Sequence, residues 1–175
     1  NKGKLKVIEV ENLDSLENTE QWKFPGFNSV FCTLGCMMKF GKEMFVKVDY
    51  QYPQYGGQIA KHNNIPHFSI VTAMGVSENS LFLYNRTKGK CENDLKKKEI
   101  NTLSIFRPGF ISQNQNHQTW KEKLAEYVPF MPKITCPQIA KAMRIEAELI
   151  ADKSKEEKQK EVFTYSNAQI HSFLK

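Results

Sequence analysis

Residues 67–109 read HFSIVTAMGVSENSLFLYNRTKGKCENDLKKKEINTLSIFRPG. Two apolar runs, from Phe68 to Thr72 and from Leu103 to Phe106, flank a segment rich in helix formers as far as Glu99, and the second run stops at Pro108 and Gly109. Strand, helix and strand at this spacing make a β-α-β unit, in which the helix carries the chain back across one face so that the two strands lie parallel. The runs are near-continuous Val, Ile, Leu and Phe rather than alternations. That pattern predicts strands covered on both faces, as in a parallel sheet.

The same grammar extends upstream. SVFCTLG predicts a strand from Ser29 to Leu34, and KLKVIEV one from Leu5 to Val10. Between Leu34 and Phe68, Phe45, Val48, Tyr52 and Ile59 recur near helical spacing. Pro53 and the pair Gly56 and Gly57 are expected to interrupt that helix, because proline lacks the N–H and each glycine costs about 1 kcal/mol relative to alanine. Downstream, residues 110–175 are expected to hold a substrate-side excursion with one short helix around Trp120 to Tyr127, then a C-terminal amphipathic helix. In that helix Ile139, Ala142, Met143, Ala147 and Ile150 form one stripe and Pro137 stands in the first turn. A lysine-rich spacer then leads to a last strand and helix. The alternation predicts an α/β fold, a doubly wound parallel sheet of Rossmann type in a single domain over residues 1–175. Ligands of such sheets lie beyond the carboxyl ends of the strands. This directs attention to the loops after Leu34, Thr72 and Phe106 and to the start of the helix holding Tyr84.

Composition narrows the function. The 175 residues carry a net charge of +6, and 40% are hydrophobic, enough for one sizeable core. The basic residues are scattered among acids, as on solvated helix faces, and only three are arginines, so no nucleic-acid partner is expected. No apolar run approaches the roughly 18 to 20 residues of a membrane helix. Cys32, Cys36, Cys91 and Cys136 lack zinc-ligand spacing, and His62, His67, His117 and His171 share no helix spacing; no metal site is expected.

The order of the motifs carries more than any one of them: a strand ending CTLG, a helix containing VDY, a strand ending VTAMG, the YNRTK helix, and a strand closing in FRPG. This succession resembles the short-chain dehydrogenase/reductase superfamily, and within it the small atypical members similar to Tat-interacting oxidoreductases. The resemblance implies an NAD- or NADP-dependent oxidoreductase acting on a carbonyl or alcohol. Tyr84 would be the acid–base residue. Lys88, one helical turn on and on the same face, would favour the phenolate and bind the nicotinamide ribose. Thr33, Leu34 and Gly35 would run past the adenosine and pyrophosphate, and Pro108 and Gly109 would meet the nicotinamide amide. Asp49 stands where many relatives have a structural asparagine. A cytoplasmic or mitochondrial setting is expected.

Two departures bear on activity. The family places a serine pair at the end of the strand before the catalytic helix; here Thr72 and Ala73 stand there, so Thr72 would have to act in its place. The glycine-rich pyrophosphate turn is not in this sequence, and the strands at Leu5 to Val10 and Ser29 to Leu34 are expected to lie in one sheet without touching, the first two strands of the fold coming from preceding residues or from a partner. The alternative reading is therefore a dinucleotide-binding but catalytically degenerate subunit of a larger assembly.

Overall fold

A computed structural model describes residues 6–10, 12–112, 132–153 and 160–175. Four of the five strands read from the sequence form: β1 (Ser29–Cys32), β2 (His67–Val71), β3 (Thr102–Arg107) and the C-terminal strand, numbered β6 (Glu161–Ser166). The order is β1-β2-β3-β6, and every pairing is parallel, with Val30 opposite Phe68, Phe68 opposite Leu103 and Leu103 opposite Val162. A separate parallel pair, β4 (Phe110–Ser112) with β5 (Lys133–Thr135), follows β3. The fold is a parallel Rossmann-like α/β sheet.

The crossovers are helical. Between β1 and β2 run α1 (Lys42–Val46), a π-helical turn (Lys47–Gln51) and α2 (Tyr52–His62). Between β2 and β3 lies α3 (Leu83–Lys97), and α4 (Cys136–Lys153) and α5 (Asn167–Ser172) flank β6. On one face of the sheet Phe68, Ile70, Leu103 and Ile105 bury against Ala60 of α2 and Cys91 and Leu95 of α3. Each such side chain contributes roughly 1.5–3 kcal/mol through burial. On the other end and face, Phe106 packs with Ile134 and with Ile139, Ala142 and Met143 of α4, the stripe read from the sequence.

Two expectations are corrected. Residues 6–10 form no strand, and Val7 and Ile8 are exposed; Leu5 and the helix expected at Trp120 to Tyr127 lie outside the described residues. Nor do Pro53 and the two glycines break their helix. The π turn ends with the Tyr52 N–H donating to Lys47 O, five residues back, so the ladder is already widened where Pro53 enters and its ring escapes the usual clash. The glycines are packing positions. A Cβ on Gly57 would lie 2.8 Å from Leu95 Cδ2, and one on Gly56 3.2 Å from the Phe68 ring, so both allow α2 to close on its neighbours.

The cysteines follow the burial pattern, Cys32 and Cys91 being buried, Cys36 half-buried and Cys136 exposed. Burial, the largest influence, pushes the Cys91 thiol up to about 12 from an ordinary 9.0, and likewise raises Cys32. A native thiol titration with a disulfide reagent is expected to show Cys136 and Cys36 reacting quickly and the other two only on unfolding. Since the folded thiolate of Cys91 forms at higher pH than the unfolded one, its contribution is intact below about pH 9 and is lost as pH rises toward about 12. Unfolding midpoints measured across that range should fall, and by less in Cys91→Ala.

Candidate active site

α3 begins where β2 has ended, and its second residue is Tyr84. The approach is shaped by Gly89, whose missing Cβ would sit 2.3 Å from the Ser77 backbone, so the helix lies against the loop that feeds it. Asn85 Nδ2 donates to Gly75 O at 3.0 Å and fastens the same loop to the helix. Tyr84 is 39% exposed, and its ring stacks on that of Phe45 at 5.5 Å between centroids. Lys88, four residues later, is buried; its Nζ lies 5.4 Å from the Tyr84 ring centroid and 2.5 Å from Asp49 Oδ1. Tyrosine and lysine thus share one helical face, with the tyrosine open to solvent and the ammonium beneath it.

Asp49 explains why that ammonium stays put. It lies in the π turn, fully buried, and its second oxygen accepts from the Cys36 N–H at 2.8 Å. One carboxylate therefore joins the loop after β1 to the lysine of α3. A buried carboxylate and ammonium hold one another because either alone would carry a desolvation cost of several kcal/mol.

The remaining predicted residues divide. Thr33, Leu34 and Gly35 lie exposed at the carboxyl end of β1, and a Cβ on Gly35 would meet nothing nearer than Asp49 Oδ1 at 3.9 Å. The backbone there is free to approach a ligand. Thr72 is buried, and its hydroxyl donates to Glu92 Oε1 at 2.6 Å. Glu92, itself buried on α3, is gripped by the fork of Arg107, Nε to Oε1 at 3.0 Å and Nη2 to Oε2. Pro108 O accepts from the Met74 N–H at 2.9 Å, extending the β2–β3 pairing, and the Gly109 N–H donates to Asn167 Oδ1 at 2.9 Å. A Cβ on Gly109 would strike Pro132 O at 2.1 Å. Both residues of that turn are engaged within the chain.

Phe45 marks only a helical spacing in the sequence, and nothing there assigns Glu92 or Arg107 to the site. Glu92 and Arg107 lie in different motifs, and only the parallel β2–β3 pairing with α3 across it brings them together. Asp49 stands out in the sequence, but its partners lie 13 and 39 positions away in Cys36 and Lys88. An acid on an otherwise apolar helix face was the one available signal.

No family model matches the chain. Over 106 residues it is 33% identical to protein HTATIP2 of Rattus norvegicus, a match covering 60% of this chain and 42% of that protein. Over 71 residues it is 38% identical to the mitochondrial protein FMP52 of Debaryomyces hansenii, covering 41% of this chain and 31% of the relative. The matches thus span less than half the length of these curated relatives. Among solved structures, MoeE5 in complex with UDP-glucose and NAD superposes with a TM-score of 0.63 at 10% identity, over 89% of this chain and 60% of that one. That likeness is one of fold.

Proposed function

We propose that this chain, whose fold is that of the short-chain dehydrogenases/reductases and whose sequence is similar to HTATIP2, forms the Tyr–Lys half of an NAD- or NADP-dependent oxidoreductase acting on a carbonyl or alcohol. The observation that carries the reading is the open Tyr84 set one turn from a buried Lys88 that Asp49 holds in place. A phenol at that position donates its proton to a carbonyl oxygen in reduction and takes it back in oxidation. Lys88 Nζ lies 5.4 Å from the Tyr84 ring centroid, and Phe45 fixes the ring by stacking, so the proton is offered from one direction. The dinucleotide, when bound, supplies or accepts the hydride.

The residues present fit such a group on the β1 side. Thr33, Leu34 and Gly35 offer exposed backbone, and Lys88 lies within the same constellation through Asp49 and Cys36. Pro108 and Gly109 fit less well, since the carbonyl of one and the N–H of the other are already hydrogen-bonded. The FMP52 relative's mitochondrial designation supports a mitochondrial or cytoplasmic setting.

A second reading, a dinucleotide-binding accessory subunit with little turnover, is favoured by one specific observation. Ala73 offers no hydroxyl, and the Thr72 hydroxyl is spent on Glu92. Loss of an oxyanion donor costs about 100- to 1,000-fold in rate. Both readings require the dinucleotide. Thermal-shift titration of the full-length protein with NADH and NADPH is expected to raise the melting temperature for at least one; saturation at about 100 times Kd corresponds to about 2.7 kcal/mol. No shift with either at millimolar concentration would overturn both.

A further inference from the structure

The cations near Tyr84 are already matched within the chain. Lys88 is paired with Asp49, and the fork of Arg107 is taken by the two oxygens of Glu92. Arg86 donates through Nη1 to the carbonyls of Ser80 and Leu81, at 2.8 and 3.0 Å. It stands two residues from Tyr84 and so on another face of α3. Arg144, the third arginine of the chain, pairs with Glu148 on α4. A phosphate or carboxylate beside the phenol would have to take one of these cations from its present acceptor.

Apolar side chains stand there instead, on three segments that converge on Tyr84. Met44 adjoins Phe45, whose ring stacks on the tyrosine. Met74 follows β2, its N–H donating to Pro108 O just past the end of β3. Leu81 and Phe82 lead directly into α3. All four are exposed, Phe82 at 75% and Leu81 at 92%. The loop that carries the last two is fastened in place: Arg86 grips its carbonyls, the Phe82 N–H donates to Ser80 Oγ at 3.2 Å, and Asn85 holds Gly75. The one charged residue of positions 73–82, Glu78, lies beside Gly89, five positions down the helix from Tyr84. A leucine and a phenylalanine fixed in water just before a proton donor form an open apolar surface, and covering it with a ligand is favourable.

We infer that the carbonyl compound handled at Tyr84 is neutral, with an apolar body that lies over Leu81 and Phe82: an aldehyde or ketone on a hydrocarbon chain or ring, rather than on a sugar, phosphate or acid. The inference deepens the proposed reaction and rests on Tyr84 as its proton donor.

Amides test it apart from turnover, because they present a carbonyl that is not reduced. Calorimetric titration of the full-length protein with butanamide, hexanamide and octanamide, with and without NADH or NADPH, should give a Kd that falls by up to about fourfold for each added methylene. Lactamide, which is polar, and succinamate, which is anionic, should bind no more tightly than butanamide. In the double variant Leu81→Ser, Phe82→Ser the gain from butanamide to octanamide should shrink by about tenfold, with a melting temperature within about 2 °C of the parent, since both side chains are exposed. Octanamide that fails to bind at millimolar concentration, an affinity independent of chain length, or one tightest for succinamate would overturn the inference and leave the proposed reaction standing. A chain-length dependence that survives the double substitution would overturn it too. So would a fall of more than about 5 °C in that variant, which would give the two side chains to the protein's own interior. Tight octanamide binding together with full turnover in Tyr84→Phe would instead sink the proposed reaction while upholding the apolar site.

Discussion

Asp49→Ala is expected to lower the stability of the protein by about 3–5 kcal/mol, the cost of breaking a buried ion pair from one side. The ion pair with Lys88 is 2.5 Å long between side chains that are almost wholly buried, so no water replaces the lost partner. The Cys36 N–H loses its acceptor in the same step. For a domain of this size the loss corresponds to a fall of roughly 10 °C in melting temperature. Two further variants apportion the effect. Asp49→Asn keeps an acceptor for Cys36 and loses the charge, so it should fall between. Asp49→Leu combined with Lys88→Met removes both charges and should regain much of the stability, since apolar replacement of a buried pair is often neutral. Chemical denaturation of the four proteins settles the order. A loss below about 1 kcal/mol in Asp49→Ala would show that the ammonium finds water, and the account of the site as a closed ion pair would fail.

Tyr84→Phe is the second. If the phenol is the proton donor, turnover with NADH or NADPH and a carbonyl substrate should fall by about 100- to 10,000-fold, the usual contribution of a positioned acid. Stability should change by less than about 0.5 kcal/mol, because the ring remains stacked on Phe45 and the residue is 39% exposed. Thr72→Val provides the contrast. Its hydroxyl serves Glu92, so its loss should appear in unfolding and should leave the ratio of turnover to binding nearly unchanged. A Thr72→Val protein that folds as well as the parent but turns over 100-fold more slowly would restore that threonine to the chemistry.

The sequence made β1, β2, β3 and α4 legible through an apolar run or a stripe, α3 through its helix formers between two such runs, and the final strand and helix through a short apolar piece after a lysine-rich spacer. It hid what depends on contacts between distant positions. The strands were read as apolar runs, whereas β2 and β3 alternate: Phe68 and Ile70 with His67 and Ser69, Leu103 and Ile105 with Thr102 and Ser104. The polar set is buried all the same, because α4 covers it. His67 Nε2 lies 3.0 Å from Ser104 Oγ and 3.3 Å from Glu146 Oε2, and the Tyr165 hydroxyl donates to Glu146 Oε1 at 3.2 Å. Period-two polarity ordinarily marks a solvated face; here one glutamate from a helix makes it an interior. KLKVIEV misled in the opposite way. It has the composition of a strand, but a strand needs a neighbour's backbone, and residues 6–10 have no strand partner among the described residues. At the site, the Tyr84–Lys88 spacing was readable and the role of Asp49 was not, since nothing local to VDY says which cation it will meet.

The π turn at Lys47–Gln51 has a consequence for how this sequence can change. Such a turn accommodates one residue more than regular winding does, and each residue removed or added rotates everything beyond it by about 100°. Deleting a single residue between Asp49 and Pro53 would straighten the helix and bring the proline ring against the carbonyl four positions before it. Deleting one on the other side would swing the carboxylate away from Lys88. Substitutions are tolerated or not one side chain at a time, but the length of this short segment is fixed by two constraints at once, a ring that needs the slack and an acid that needs the angle. Insertions and deletions in descendants of this chain should therefore collect on either side of residues 47–53 and be absent within them.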